Sequence, residues 1–348
     1  MIQSIIDTPQ KLGIIKLMHY WVRFILGIFL IFMSCGPSSR NRALSILKQG
    51  INDKSGVVRV NAAKALIETG DKSGYEIIYK ILQGEDRDAI VAGLGALYEL
   101  GETGYSPFIA KLCRDPDPLV RAEAYHLASL SSDTGYYKLL VEGTSDRISK
   151  VRRYAYNGLV HFKDEKNIIK GIKDIDPIVR ISAAKSLGLL GRSEAKDLIK
   201  KEMDPRNPNL DVWVQAVLAL GELNDTSSVR YIKELLNDTP WDLKIASAEA
   251  LLMLKDNSGV EVLKSGLQSS DPFVRVKSVE VIKKYPLLEF HDLLKQACGD
   301  EYINVSINAI NTIVKYQKKE DLKLFEQLLR APNPLVKIAS AGAYLKGL

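Results

Sequence analysis

The chain has 348 residues, of which 46% are hydrophobic and 26% charged, enough to bury a large core and too apolar for a disordered chain. Its net charge is +6; setting aside residues 1–34, which hold Lys11, Lys16, Arg23 and Asp7, leaves 45 basic and 41 acidic residues, or +4. That balance is too mild for a nucleic-acid-binding surface, which concentrates basic residues on one face. Four histidines and three cysteines are a thin supply for metal chemistry.

Lys11, Lys16 and Arg23 precede an unbroken apolar run of ten residues, Phe24 to Met33. A bilayer span needs about 20 residues, whereas a signal-peptide core needs about 7–15 behind a basic stretch. The run ends in Phe32-Met33-Ser34-Cys35-Gly36, which resembles a bacterial lipobox: a small residue, Ser34, before the cysteine that becomes the lipidated N-terminus. Phe32 and Met33 depart from the usual leucine and small residue. An ordinary signal peptide or an uncleaved anchor, with Cys35 incidental, is the other reading. Either Met1 or Met18 serves as the start, since Met18 to Ser34 makes a complete short leader. The expected division is a lipoprotein-type signal peptide at 1–34, a tether at 35–40 and a repeat array at 41–348. At about 3.5 Å per residue, Gly36 to Arg40 reaches roughly 17 Å, so the first repeat would sit close to the membrane.

The array aligns on the dipeptide Val-Arg. Ten anchor positions, Arg59, Ile90, Arg121, Arg152, Arg180, Trp213, Lys244, Arg275, Ser306 and Lys337, are spaced 31, 31, 31, 28, 33, 31, 31, 31 and 31 residues apart. The residue before each anchor is apolar throughout, as in Val58, Val151 and Val336. Three residues after it stands a small residue, such as Ala62, Gly93 or Ser278, and seven after it mostly Leu or Ile. This is one buried helical stripe, with a small column that lets neighbouring helices approach. An earlier helix precedes each stripe, across a turn rich in Asp, Asn and Pro. Asp117-Pro118, Asp176-Pro177, Asp271-Pro272 and Asn333-Pro334 read as N-caps followed by a first-turn proline, and Gly70, Gly101 and Gly191 as C-terminal stops.

Paired helices, an Asp six residues before Val-Arg (Asp53/Arg59, Asp115/Arg121, Asp146/Arg152, Asp174/Arg180) and an Ala-Ala-x-x-Leu core resemble HEAT repeats, and the period of 31 resembles the short variety named after phycobilin lyases. The resemblance covers 41–348. It implies an all-α, right-handed α-solenoid of about ten two-helix units, a superhelix whose Val-Arg helices line the concave side. At about 8–10 Å per layer this would be a curved rod roughly 80–100 Å long.

The recurring basic anchor opposes the helix macrodipole, so an Asp–Arg ladder stitching the turns is expected: Asp53, Arg59, Asp115, Arg121, Asp146, Arg152, Asp174, Arg180, Asp271 and Arg275. The alternative is an anion-binding stripe. Cys113 and Cys298 replace core aliphatics and read as free and buried. His126, His161 and His291 fall in different repeats without metal-ligand spacing, so no metal and no cofactor are expected. No nucleophile elbow, phosphate loop or dinucleotide fingerprint is present, so the chain reads as no enzyme. Tyr154 stands in a column otherwise filled by polar or small residues, and is expected to be exposed on the inner face with Asn157 and His161 along its stripe. With Arg153, Glu123 and His126 it forms the candidate partner-binding site. The last helix, through Ala339-Ser340-Ala341-Gly342-Ala343-Tyr344-Leu345, is weakly polar for a terminal cap and could dock a partner or another copy.

The function expected is that of an exported lipoprotein, membrane-anchored on the periplasmic side or in the outer membrane of a bacterium. It would act as a scaffold that grips a protein or peptide on its concave face, with no nucleic acid. If the leader is no export signal, a chromophore-lyase-like enzyme or another cytoplasmic HEAT protein is the alternative.

Overall fold

The computed structural model describes residues 38–104, 106–206, 209–237 and 239–347. The leader and Cys35 lie outside them. The described residues form twenty α-helices in ten consecutive pairs and no strand. The pairs are α1 (Ser39–Gly50) and α2 (Gly56–Glu68), α3 (Gly74–Leu82) and α4 (Arg87–Glu99), α5 (Pro107–Leu112) and α6 (Pro118–Ala128), α7 (Tyr137–Gly143) and α8 (Ser149–Leu159), then α9 (Glu165–Ile168) and α10 (Pro177–Leu189). They continue with α11 (Ala195–Glu202) and α12 (Leu210–Glu222), α13 (Val229–Glu234) and α14 (Trp241–Met253), α15 (Val260–Leu267) and α16 (Pro272–Lys284), α17 (His291–Ala297) and α18 (Ile303–Ile313), and α19 (Leu322–Leu328) and α20 (Pro334–Lys346).

Local chemistry sets the boundaries. Asp117, Asp176, Asp271 and Asn333 cap the even-numbered helices through side-chain oxygens that accept from backbone N–H groups two residues on, at 2.8–2.9 Å, each with proline at the first turn. In seven of the repeats the chain leaves the helix eleven residues after the anchor in a left-handed residue. Glycine supplies it at Gly70 (φ +100°), but Lys163, Asn224, Lys255 and Gln317 adopt it too, at φ between 50 and 61°. The contraction of the period to 28 falls in α9, shortened to 4 residues and continued by a 3-10 turn, Ile169–Lys173. The stretch to 33 falls in the turn between α11 and α12.

Each even-numbered helix packs on the next, from α2 through α20. The stripe residues are the core: Val151, Ala155 and Leu159 of α8 are wholly buried, and each buried leucine contributes about 2–3 kcal/mol. The small residues are needed for the close approach of helices. A Cβ on Gly143 would meet the Tyr125 ring at 2.3 Å, and one on Gly259 would lie 2.5 Å from the Cα of Ala248.

The array does not end as an open rod. α20 packs on both α1 and α2, so the solenoid closes into a ring. Ile338 and Ala341 share a core with Ala43 and Leu47 of α1 and with Ala62, Ala65 and Leu66 of α2. Lys346 pairs with Glu68 at 2.5 Å, and the Ser39 hydroxyl donates to Glu326. The weak polarity of the last helix thus has a local cause: its apolar face is covered by the chain's own first repeat. The concave side has become the wall of a lumen.

Candidate functional site

Residues two, five, eight and nine positions after their anchors, such as Asn308, Asn311, Lys283 and Lys315, line the space inside the ring. Helix geometry puts the second and fifth positions on one face, one turn apart. Residues of adjacent inner helices therefore meet diagonally, one repeat back and three residues on. Tyr154 of α8, His126 of α6 and Tyr98 of α4 follow this diagonal at intervals of 28 residues. The His126 and Tyr154 rings stack with centroids 4.5 Å apart and an interplanar angle of 17°; the Tyr98 and His126 rings lie 4.8 Å apart, tilted by 34°. Arg153 lies 5.1 Å from the Tyr154 centroid and Lys150 5.9 Å. Such cation–π contacts add about 0.5–2 kcal/mol each. Glu123 accepts from Lys150 at 2.7 Å and lies 3.6 Å from His126 Nδ1. The His126 ring beside it, together with the Lys150 ammonium, holds its carboxyl down at about 2 in spite of burial.

Of the residues expected to form a site, Glu123, His126, Arg153 and Tyr154 come together. Tyr154 is not the freely exposed side chain expected: it is half-buried, because His126 covers one part of its ring and Arg153 another. Arg153 also reaches across to Gln215 of α12, 3.4 Å away. Asn157 is half-buried one turn further along α8, with its Oδ1 buried and unpaired. His161 is exposed on the 3-10 turn after α8 and makes no hydrogen bond or ion pair among the described residues. Tyr98, 44% exposed, was not foreseen, although its 28-residue interval to His126 repeats in the next step to Tyr154.

On the rim where the inner helices begin, the arginines bridge repeats. Arg121, Arg152, Arg180 and Arg275 each donate Nη1 to a backbone carbonyl six residues back, at 2.7–2.9 Å. Their Nε groups reach a carboxylate of the following repeat at 2.7–2.8 Å: Asp146, Asp174, Glu202 and Asp300 in turn. Asp115, Asp146 and Asp174 meanwhile accept the N–H two residues on, fixing their own turns at 2.8–2.9 Å. Asp174 is partly buried, which would raise its pKa, but the Arg152 fork and the Asp176 N–H outweigh that and hold it below the usual range. Among the described residues Arg59 meets only the carbonyls of Asp53 and Lys54, and Asp271 caps α16 without bonding Arg275. The pairing therefore runs from one repeat to the next and not within a repeat, because the arginine side chain extends away from its own turn.

Cys113 and Cys298 are free and buried, and burial pushes each thiol up to about 12. His291, Glu320 and Asp321 bring possible ligand atoms within 4.8 Å of one another. His291 Nε2 is already hydrogen-bonded to Asp321 at 2.9 Å, however, and the Lys318 ammonium lies 3.2 Å from Nδ1 and would repel a cation. No helix among the described residues is long and apolar enough to cross a membrane.

Residues 201–283 match the model for HEAT repeats. The same two-helix unit recurs through the described residues, and the chain is a HEAT-like repeat protein. No curated protein matches the sequence. Among solved structures, the complex of CpcE and CpcF of phycocyanin lyase from Nostoc sp. PCC7120 is similar at 16% identity, over 69% of this chain and 95% of that chain, with a TM-score of 0.45. Human deoxyhypusine hydroxylase in complex with glycerol is similar at 16% identity, over 72% and 97%, with a TM-score of 0.33. A structure of Kap95p with RanGDP is similar at 14% identity, over 86% of this chain and 52% of that one, with a TM-score of 0.38. Likeness at this level bears on neither substrate nor partner.

Proposed function

We propose that this protein is an exported bacterial lipoprotein, anchored through lipid on Cys35, whose ring of HEAT-like repeats is a non-enzymatic scaffold for a protein or peptide partner. The observation that carries the anchoring is the pattern of basic residues, a ten-residue apolar run and Ser34-Cys35. Two or more acyl chains hold a protein at a membrane without a spanning helix. Helix α1 begins at Ser39, so the ring would be held against that surface by a few residues. The partner-binding part of the reading rests on the Tyr98–His126–Tyr154 track with Arg153 beside it, a composition common at binding hot spots. Because the concave side is a lumen, the partner would contribute an extended segment or a loop and not a broad convex face.

The test is affinity capture of tagged full-length protein from detergent-solubilised envelopes, with mass spectrometry of bait and prey. A bait beginning at an acylated Cys35, with one dominant protein partner lost in Tyr154→Ala, supports both halves. An unprocessed cytosolic bait overturns the anchoring and revives a cytoplasmic role. Undiminished capture by a folded Tyr154→Ala variant removes the track as the contact.

A further inference from the structure

Ring closure creates a cavity of about 570 Å³ between α2 and α4 on one side and α16, α18 and α20 on the other. Small-molecule sites occupy roughly 300–1,000 Å³. Most of the charges on its wall are already paired. Lys64 and Lys283 share Glu99, at 2.6 and 2.7 Å. Lys346 holds Glu68 at 2.5 Å, and Lys284 holds Glu249, behind the wall, at 2.7 Å. Lys315 differs. Its ammonium meets no carboxylate among the described residues and donates only to the backbone carbonyl of Lys283, at 2.7 Å.

Lys315 stands on a polar stripe. Asn308, Asn311 and Lys315 are spaced i, i+3 and i+7, one face along α18 and the turn after it, and all three line the cavity. Neither asparagine amide has a hydrogen-bond partner among the described residues. Burial, and then the ammonium groups of Lys283 and Lys346, outweigh the more distant Glu99 carboxylate and push the Lys315 pKa below its ordinary value. The cavity thus presents one ammonium without a direct ion pair, Lys315, beside two idle amides that can donate; its one carboxylate without a direct ion pair, Glu280 on α16, is pushed towards its neutral form by burial and faces the ammonium groups of Lys284 and Lys283.

We propose that this cavity binds a small-molecule anion, its carboxylate or phosphate group held by Lys315 and by the amide donors of Asn308 and Asn311. The ligand replaces the carboxylate that every other lysine of the wall already has. Charge-assisted hydrogen bonds of this kind are about twice as strong as neutral ones. The site draws on helices from both ends of the chain and exists only in the closed ring, and it does not depend on the scaffold reading above.

The experiment is thermal unfolding and titration calorimetry of the full-length protein in detergent, with inorganic phosphate, with succinate and with sodium chloride at matched ionic strength. Saturable stabilisation by phosphate or by succinate beyond the chloride effect is expected, and the more effective probe identifies the anionic group. Lys315→Met should raise the melting temperature of the ligand-free protein, since it removes an uncompensated cation, and weaken anion binding at least about tenfold. Asn311→Asp places a carboxylate one turn from Lys315. It should give a folded, stabilised ring that no longer responds, and it keeps the idea testable if Lys315→Met does not fold. Lys277→Met, which removes an ion pair with Asp242 outside the cavity, should bind as the parent does. Equal effects of all three salts, or a response unchanged in Lys315→Met or Asn311→Asp, would overturn the proposal.

Discussion

Lys283 and Glu99 are 184 residues apart in the chain, and their side chains meet across the lumen at 2.7 Å. Nothing local brings them together. An open array of repeats needs a polar cap at each end, since each unit is covered only by its neighbours. Here the apolar faces of α1, α2 and α20 cover one another, and the Lys346–Glu68 pair closes the seam.

Glu99 sits between Lys64 and Lys283. Burial would raise its pKa, yet these two ammonium groups hold it at about 2, against an ordinary value of 4.5. A depressed folded pKa gives stability that is present above about pH 4.5 and lost as pH falls towards 2. Glu123 acts in the same direction. Urea midpoints should therefore fall between pH 5 and pH 3. Glu99→Gln should lower stability at pH 7 by about 1 kcal/mol, a figure discounted for solvent screening, and flatten the pH dependence.

Arg152 joins two repeats through a bidentate contact with Asp174, with both side chains nearly buried at 13% and 10% exposure. Arg152→Ala leaves that carboxylate without its partner and should cost about 3 kcal/mol. Arg152→Lys cannot span the carboxylate and the Asp146 carbonyl together, so it should recover only part of the loss. A double-mutant cycle with Asp174→Asn measures the coupling, and additive losses would show that the contact is not the source.

Lys255 adopts φ +61° where other repeats use glycine. An L-residue pays roughly 1 kcal/mol there, so Lys255→Gly should leave stability unchanged or raise it by up to about 1 kcal/mol, in contrast to glycine substitutions inside helices. A fall in the denaturation midpoint would contradict the left-handed assignment.

The repeats were legible because a helical stripe with a 31-residue period imposes the same residue classes on every unit, from Val58 to Val336. The buried roles of Cys113 and Cys298 could be read from the columns they occupy. The partner of each arginine was harder, since Arg121 lies beside Asp115 in sequence but bonds the Asp146 carboxylate 25 residues on. The closure was hidden for another reason. It accumulates from ten small rotations, and no single residue encodes it. Tyr154 was expected on the inner face but with an open ring, and its columns alone do not disclose that His126 and Arg153 cover it.

Gly259 packs 2.5 Å from the Ala248 backbone, measured to the Cβ it lacks. Backbone cannot give way as a flexible side chain would, so Gly259→Ala should destabilise by about 1–3 kcal/mol. Gly95→Ala serves as the comparison, with nothing within 4 Å of an added Cβ; being inside α4, it should be neutral or stabilising by up to about 1 kcal/mol. Equal midpoints for the two variants would contradict the packing of α14 against the turn that leads into α15.

The closed ring itself is tested most directly by zero-length carbodiimide coupling of the monomeric protein, followed by mass spectrometry. Cross-links between Lys346 and Glu68 and between Lys283 and Glu99 should appear alongside the neighbouring-repeat link between Lys284 and Glu249. Recovery of the Lys284–Glu249 link without either of the other two, in protein that remains helical and monomeric, would mean that the array is an open superhelix and that the cavity at its seam does not exist.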